Sequence, residues 1–251
     1  MTKTWFSATW SRIWKALMVL FDEGRSEASL AVLVVTLVLV TRNALSGPRT
    51  PRVLQSWWLL AAARLNMLAY PVVQHQIIAI VLQFVLPVLV IWTVHRRPLD
   101  DYGFGLGDWR FWLPITALIF LIQIVIVALF LSRDPVYIAR YPSLATARSG
   151  GALLWIWESS RIVYMLSWEF LFRGYLLFAL FRRFGMAACF LQMVPFVLMH
   201  MVSGKPTSEV YFTLVSGLLS GLFALEARSI WPIVFLHGLG AVLLDLLIVF
   251  R

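Results

Sequence analysis

The sequence has little of what soluble proteins place at their surfaces. Charged residues make up 13% of its 251 residues, there are four histidines, and Cys189 is the single cysteine. One cysteine cannot form an internal disulfide, and in an apolar segment we expect it to be a buried, inert thiol. No H-E-x-x-H zinc motif is present, and Gly217-Leu-Leu-Ser220-Gly221 is one residue too long for the G-x-S-G of a rhomboid-type serine protease. The sequence therefore excludes a disulfide scaffold and these two protease classes.

Long apolar runs fill the chain instead, since 61% of the residues are hydrophobic. A run of about 20 apolar residues suffices to cross a bilayer. We therefore predict an all-α fold, a polytopic transmembrane helical bundle of seven or eight spans. Residues 53–70 are left open as a span, a re-entrant piece or an interfacial helix. The other predicted spans are residues 28–41, 72–94, 111–131, 152–182, 186–202, 209–227 and 230–249.

The first 27 residues predict a helix that lies in the membrane interface. Between Thr4 and Phe21, tryptophans and other apolar residues recur at helical spacing, accompanied by Arg12 and Lys15. The two cations also interrupt any signal-peptide core, so we expect no cleaved leader. Docking to a partner protein is the alternative role for this helix. The predicted organisation is an N-terminal interfacial amphipathic helix (1–27), an N-terminal transmembrane region (28–150) and a C-terminal core (151–251).

The net charge of +9 comes mostly from arginines in loops and at helix ends. Such arginines meet lipid head groups, so we expect the lipid bilayer, and no nucleic acid, as a partner. Arginine outnumbers lysine, which occurs only at positions 3, 15 and 205. This bias suggests a bacterial protein, and we expect it in the cell (inner) membrane as a multi-pass protein.

Four ionisable residues inside apolar helices mark a candidate reaction centre. Glu169 and Arg173 are four residues apart and so share one helix face. His200 and His237 each lie in a helix of their own. Ionisable groups in hydrocarbon are costly and usually mark function. Relative to the centres of their helices, Glu169 lies near the midplane, His200 about 6 Å to one side and His237 about 5 Å to the other.

These residue types fit more than one chemistry. Two histidines and a glutamate are a familiar ligand set for zinc, so Glu169, His200 and His237 are candidate metal ligands. Without a metal, Glu169 would be the general base that activates water, while the histidines would polarise a carbonyl group. Arg173 would hold Glu169 in place. Alternatively, each histidine is a polar residue that only bridges helices.

The same residues resemble a known family. Glu169-Phe-Leu-Phe-Arg173-Gly174, Phe196-Val-Leu-Met-His200 and His237 follow one another as in the CAAX prenyl protease and bacteriocin-processing family, the Abi or CPBP intramembrane endopeptidases. The resemblance implies hydrolysis of a peptide bond in a membrane-associated substrate, which could be prenylated, lipidated or bacteriocin-like. It implies that Glu169 is base or ligand, that both histidines are ligands or oxyanion stabilisers, and that Arg173 orients the glutamate.

Two positions depart from the family pattern E-E-x-x-x-R and H-x-x-x-N. Trp168 replaces the first glutamate, which is the family's proposed water-activating base, so this chain has W-E-x-x-x-R. Ala241 replaces the polar residue four positions after His237, and Asp245, one turn further along, is the candidate substitute. The departures keep a second hypothesis open, in which a non-catalytic protein binds a peptide or partner in an immunity or scaffold role.

Overall fold

The computed structural model of this chain describes residues 10–12, 14–15, 23–46 and 71–251. Every regular element in these residues is helical, which confirms the all-α prediction. We number the helices α1 (Glu23–Ser46), α2 (71–95), α3 (Trp109–Leu129), α4 (Pro135–Arg140), α5 (151–184), α6 (Ala188–Val202), α7 (Thr207–Ala227) and α8 (Trp231–Val249).

Six helical runs in these residues are long and apolar enough to cross a membrane, which confirms a polytopic membrane protein. Their outer faces carry exposed apolar side chains, such as Leu118, Leu121 and Val125 on α3, as expected of lipid contact. One run, Gly151–Val202, contains both α5 and α6, which turn at Gly185 with a φ of 55° and pack against each other. The number of crossings stays a prediction.

Most of the predicted N-terminal interfacial helix lies outside the described residues. Residues 10–12 and 14–15 are helical, and Trp10 and Trp14 are exposed. Residues 53–70 lie outside the described part as well. The predicted boundary at 150/151 falls where α5 begins, and α1 and α2 pack on α5.

Two of the long helices contain π-helical segments. In α2 the segment Val81–Val85 comes shortly before Pro87, where the sequence predicts a kink. Because proline has no N–H and its ring meets the carbonyl one turn earlier, a local change of helical register accommodates it. In α5 the π-helical segment Phe170–Leu176 includes Gly174. The sequence predicts that an apolar helix of this length tilts, bends near Gly174 or projects from the bilayer. A side chain at Gly174 would come within 3.1 Å of the Tyr102 carbonyl oxygen.

The stretch from Ser132 to Gly151, predicted as a loop without a helix, contains the short helix α4. Asp134 begins it as the N-cap, because its side chain accepts a hydrogen bond from the Val136 amide at 2.8 Å. Pro135 follows at the first helical position, where proline is favoured. The sequence prediction rests on long apolar runs, which do not reveal so short a helix.

The middle of α5 forms the centre of the molecule. Every residue from Phe170 to Leu177 is buried. α2, α6 and α8 pack around α5, while α3 packs on α8 and α7 packs on α6. Any polar group carried by this part of α5 is therefore enclosed by protein, which defines where a buried reaction centre can lie.

Candidate active site

Glu169 and Arg173 form a buried ion pair in the middle of α5. Glu169 ends the α-helical part Gly151–Glu169, and Arg173 lies in the π-helical segment that follows. Glu169 Oε2 is 3.2 Å from Arg173 Nη1, and both side chains are 1% exposed. The guanidinium carbon also lies 3.6 Å from the centre of the Phe196 ring. Neither Oε2 nor Nη1 has a hydrogen-bond partner among the described residues, so this contact is an ion pair without a hydrogen bond.

His237 contacts the other oxygen of the same carboxylate. Its Nδ1 is 2.5 Å from Glu169 Oε1, a contact that joins α8 to α5. The His237 side chain is 30% exposed, whereas that of Glu169 is 1% exposed. Of this pair, therefore, His237 is the group that water and substrate can reach.

His200 packs against two aromatic rings. Its Nδ1 is 2.9 Å from the Phe196 carbonyl oxygen, one turn earlier in α6. The ring centres of Phe196 and Trp168 lie 4.5 and 5.7 Å from that of His200. These contacts fix the plane of the imidazole and direct its Nε2 away from the helix backbone.

A pocket brings the two histidines together. Its wall is formed by α5, the end of α6, the loop after α6, and α8. The lining residues are Tyr164, Met165, Trp168, Met199, His200, Ser203, Lys205 and His237.

The partners of the two Nδ1 atoms determine the tautomer of each histidine. A carbonyl oxygen and an ionised carboxylate only accept hydrogen bonds, so the proton lies on Nδ1 in both rings. In the neutral rings, Nε2 of His200 and of His237 therefore carries a lone pair. Each can accept a proton, and neither can donate a hydrogen bond to a substrate carbonyl until it is protonated.

The geometry does not fit the zinc site that the residue types suggest. Both carboxylate oxygens of Glu169 contact protein groups, His237 and Arg173. Within the described part of the chain, no three His, Cys, Asp or Glu side chains are grouped so that they could hold a metal ion. We therefore derive no step through a metal.

Asp245 does not join the other predicted site residues. Its carboxylate accepts hydrogen bonds from Trp157 Nε1, at 3.0 Å, and from Arg161 Nη1. Arg161 also lies 3.8 Å from Glu158. The structure thus brings Glu169, Arg173, His200 and His237 to one place, and puts Asp245 in a second buried cluster between α5 and α8.

The sequence prediction did not include Tyr164 or Lys205 among the site residues. Tyr164 accepts a hydrogen bond at 2.9 Å from Arg42 Nη2 on α1, a contact between residues far apart in sequence. Arg42 also lies over the Trp168 ring, 5.2 Å from its centre. A signal for Lys205 was available, because it is the only lysine after position 15 and follows His200 directly in the next loop.

Comparison with protein families gives a match to the C-terminal part of the chain. The family described as type II CAAX prenyl endopeptidase Rce1-like matches residues 150–243, which is less than half of the chain. The matched stretch includes Glu169, Arg173, His200 and His237, and ends before Asp245. Comparison with curated proteins gave no match. Comparison with solved structures gave none either.

Proposed function

We propose that this protein is an intramembrane endopeptidase that hydrolyses a peptide bond of a membrane-associated protein or peptide. The observation that carries the proposal is the 2.5 Å contact between His237 Nδ1 and Glu169 Oε1 beside a pocket that His200 also lines. The match to a prenyl endopeptidase family supports a lipid-modified substrate. We place the protein in the cell membrane of a bacterium, following the bias to arginine.

His237 is the general base of the proposed reaction, and Glu169 orients it. Water reaches His237 but not the enclosed carboxylate, and the Nδ1 contact leaves Nε2 free to accept a proton. A carboxylate in this position fixes the ring and stabilises the imidazolium that forms. Arg173 compensates the carboxylate charge in a dry environment. Glu169 thus acts through His237, although the sequence suggested that it activates water itself.

The proposed hydrolysis has two steps. The water oxygen bonds to the substrate carbonyl carbon while one water proton passes to His237 Nε2. When the carbon–nitrogen bond breaks, that proton moves to the leaving amine, and the carbonyl carbon keeps the hydroxyl group as a new carboxylic acid. His200 Nε2 accepts a hydrogen bond from the attacking water and so helps to orient it.

Tyr164 is the proposed hydrogen-bond donor to the carbonyl oxygen. Tyr164 lines the pocket, and its hydroxyl accepts a hydrogen bond from Arg42. Arginine only donates, so this contact leaves the tyrosine proton free for a substrate oxygen. A cation that donates to a hydroxyl also strengthens the hydrogen bond that the hydroxyl makes. Negative charge that develops on the carbonyl oxygen is thereby stabilised.

Comparison of protein N-termini in cell membranes tests the proposal. Cells that lack the protein are complemented with the wild type, with Glu169→Gln, or with Glu226→Gln, in which the changed residue is exposed. We expect new N-termini with the wild type and with Glu226→Gln, and none with Glu169→Gln. If all three proteins are inserted in the membrane and none yields an N-terminus that is missing from cells without the protein, the protein is not an endopeptidase. New N-termini with all three would contradict the role of Glu169.

A specific observation favours a second candidate function, the binding of a peptide without cleavage. Where the family pattern has a glutamate, Trp168 contacts the rings of Phe172, Phe196 and His200 and gives the pocket an apolar wall. Such a wall suits the side chains of an apolar peptide. Photo-crosslinking in membranes tests this function. If the wild type and Glu169→Gln capture the same peptide equally, and neither produces a new N-terminus, the result supports peptide binding over proteolysis.

A further inference from the structure

Lys205 brings a positive charge to the pocket that contains both histidines. It lies in the loop between α6 and α7, and its backbone amide donates a hydrogen bond to the His200 carbonyl oxygen at 3.3 Å. The proposed reaction leaves this lysine without a role. A cation that lines a pocket beside a reaction centre is a candidate for binding an anion.

Two neighbours hold the Lys205 ammonium group in place. Its Nζ lies 2.8 Å from Glu209 Oε1 and donates a hydrogen bond to the Tyr141 hydroxyl oxygen. Tyr141 in turn donates to Glu209 Oε2 at 2.9 Å. Burial, and then the nearby Glu209 carboxylate, raise the pKa of Tyr141, so its hydroxyl keeps the proton that this bond needs. The three groups form a closed network.

One N–H of Lys205 remains available for a ligand. An ammonium group has three N–H donors, and the network uses two of them. Among the residues that the structure describes, no third acceptor contacts Nζ. The side chain is 26% exposed, so a ligand in the pocket can reach it.

The surrounding loops carry an excess of positive charge. Residues 133–149 and 203–209 contact each other, as when Arg140 Nη2 donates to the Ser203 carbonyl oxygen at 2.7 Å. Arg148 donates to the Ala139 carbonyl oxygen at 2.7 Å. Backbone carbonyls do not neutralise these charges. The two loops contain four cations against two anions, a net charge of +2: Arg133, Arg140, Arg148 and Lys205 against Asp134 and Glu209.

We propose that Lys205 forms an anion subsite that binds a carboxylate of the substrate peptide while the peptide bond lies between His200 and His237. The inference rests on the proposed function and specifies the substrate class. The carboxylate is either the free C-terminus of the peptide or the side chain of an Asp or Glu close to the cleaved bond. We favour a peptide over a lipid head group because Lys205 lines the same pocket as both histidines.

The test compares three forms of a prenylated cysteine peptide that differ in whether, and where, they carry a carboxylate. One has a free C-terminus, one has a C-terminal amide, and one has a C-terminal amide together with a glutamate as its last residue. Cleavage is measured in neutral phosphatidylcholine vesicles, and again in vesicles that also contain anionic lipid, with the wild type, Lys205→Met and Lys205→Arg. Arg183→Met is the control, because it removes an exposed cation from the turn at the other end of α6.

We expect the wild type to cleave at least one carboxylate peptide about tenfold faster, in kcat/KM, than the uncharged peptide, through a lower KM. The peptide that shows this preference identifies the source of the carboxylate. Lys205→Met should remove the preference, so that the carboxylate peptides and the uncharged peptide are cleaved with the same kcat/KM. Lys205→Arg should restore part of it, and Arg183→Met should have no effect.

Four results would overturn the inference. Equal cleavage of all three peptides by the wild type would contradict the subsite while leaving the endopeptidase intact. An equal loss on all peptides in Lys205→Met would show a structural role, and a loss seen only in vesicles with anionic lipid would show lipid binding. If the wild type cleaves no peptide, the affinity of Glu169→Gln for the three peptides is measured instead. Tighter binding of a carboxylate peptide than of the uncharged one, abolished by adding Lys205→Met, supports the subsite without the proposed function. Equal binding of all three peptides overturns both.

Discussion

The carbonyl oxygen of a bound substrate needs a hydrogen-bond donor, and Nε2 of His200 and of His237 is an acceptor as long as the ring carries its proton on Nδ1 alone. Trp168 does not supply the donor, because its indole nitrogen is enclosed and makes no hydrogen bond. The Tyr164 hydroxyl, which accepts a hydrogen bond from Arg42, is the donor that we propose for the oxyanion.

Tyr164→Phe tests this role because it removes one hydroxyl and keeps the ring. We expect kcat to fall about 100-fold with little change in KM, since an oxyanion donor acts mainly in the transition state. Tyr211→Phe is the matched control, because Tyr211 is 68% exposed. A change in KM alone, with kcat preserved, would mean that Tyr164 shapes the pocket without taking part in the reaction.

The sequence revealed some residues of the candidate site and missed others for a physical reason. Glu169, Arg173, His200 and His237 are ionisable groups in apolar helices, and their cost in hydrocarbon makes them visible without a structure. Tyr164 and Lys205 are ordinary residues by composition, and what distinguishes them is a contact with Arg42 and with Tyr141, both distant in sequence. The sequence also could not assign the separate roles of these four residues, because the assignment depends on His237 contacting Oε1 of Glu169 and Arg173 contacting Oε2.

At the scale of helices, Asp245 and Arg161 join α8 to α5. Both side chains are at most 7% exposed, and Trp157 donates a second hydrogen bond to Asp245. Removal of one partner from a buried ion pair leaves an uncompensated charge and costs about 3 kcal/mol. The pair therefore fixes how α8, which carries His237, lies against α5, which carries Glu169.

Asp245→Asn should lower the stability of the bundle by about 3 kcal/mol and leave kcat per folded molecule close to that of the wild type. Unfolding in mixed detergent micelles measures the stability, and cleavage normalised to the folded fraction measures kcat per folded molecule. Glu226→Gln, on the exposed end of α7, is the control for loss of a carboxylate. Normal stability together with lost cleavage would instead place Asp245 in the reaction, as the sequence suggested.

The glycine-rich loop before α3 closes one end of the α7–α8 hairpin. The Asp108 amide donates to the Ala227 carbonyl oxygen at 2.9 Å, and the Ile230 amide donates to that of Gly103 at 2.8 Å. Gly107 lies between these contacts with a φ of 54°, and a Cβ there would come within 2.1 Å of the Ala227 oxygen. The loop thus needs glycine for both conformation and space.

Gly107→Ala should destabilise the protein by about 2 kcal/mol more than Gly185→Ala. Gly185 has nearly the same φ, 55°, but a Cβ there would meet no atom within 4 Å, so the difference isolates the clash with backbone. Thermal unfolding of both variants in detergent measures it. Equal destabilisation would mean that the loop moves away from α7 at little cost.

Helix positions followed from apolar runs, whereas the irregularities within helices did not. The run from 152 to 182 predicted one long helix, and α5 spans 151–184. Its π-helical segment depends on how Phe170 and the Tyr102 carbonyl oxygen pack around Gly174, contacts that periodicity does not encode.

At the scale of the whole molecule, contacts between loops define two ends. At one end the Glu27 carboxylate accepts hydrogen bonds from Tyr102, at 2.5 Å, and from Arg182. Burial and the contact with Glu27 raise the pKa of the Tyr102 hydroxyl, which therefore remains a donor. At the other end Arg251 Nη1 donates to the Ser132 carbonyl oxygen at 3.2 Å, and the loops around Lys205 and Tyr141 meet. Successive long helices in residues 71–251 connect these two ends.

Cysteine labelling tests this arrangement, because Cys189 is the single cysteine and can be replaced by alanine to give a cysteine-free background. In that background we expect Arg183→Cys and Glu226→Cys to react with a membrane-impermeant maleimide from one side of sealed vesicles. Ser143→Cys and Thr207→Cys should react only from the opposite side. All four positions are exposed, so each reports sidedness and not burial.

The sharpest comparison is between positions 183 and 207, because α6 between them has only 15 residues. At 1.5 Å per residue such a helix is about 22 Å long, shorter than a typical hydrocarbon core of about 30 Å. We expect it to cross nonetheless, with the bilayer thinned around the end that carries His200. That thinning would bring water to the pocket, which hydrolysis requires. Labelling of positions 183 and 207 from the same side would show that α6 does not cross, and would remove this route for water.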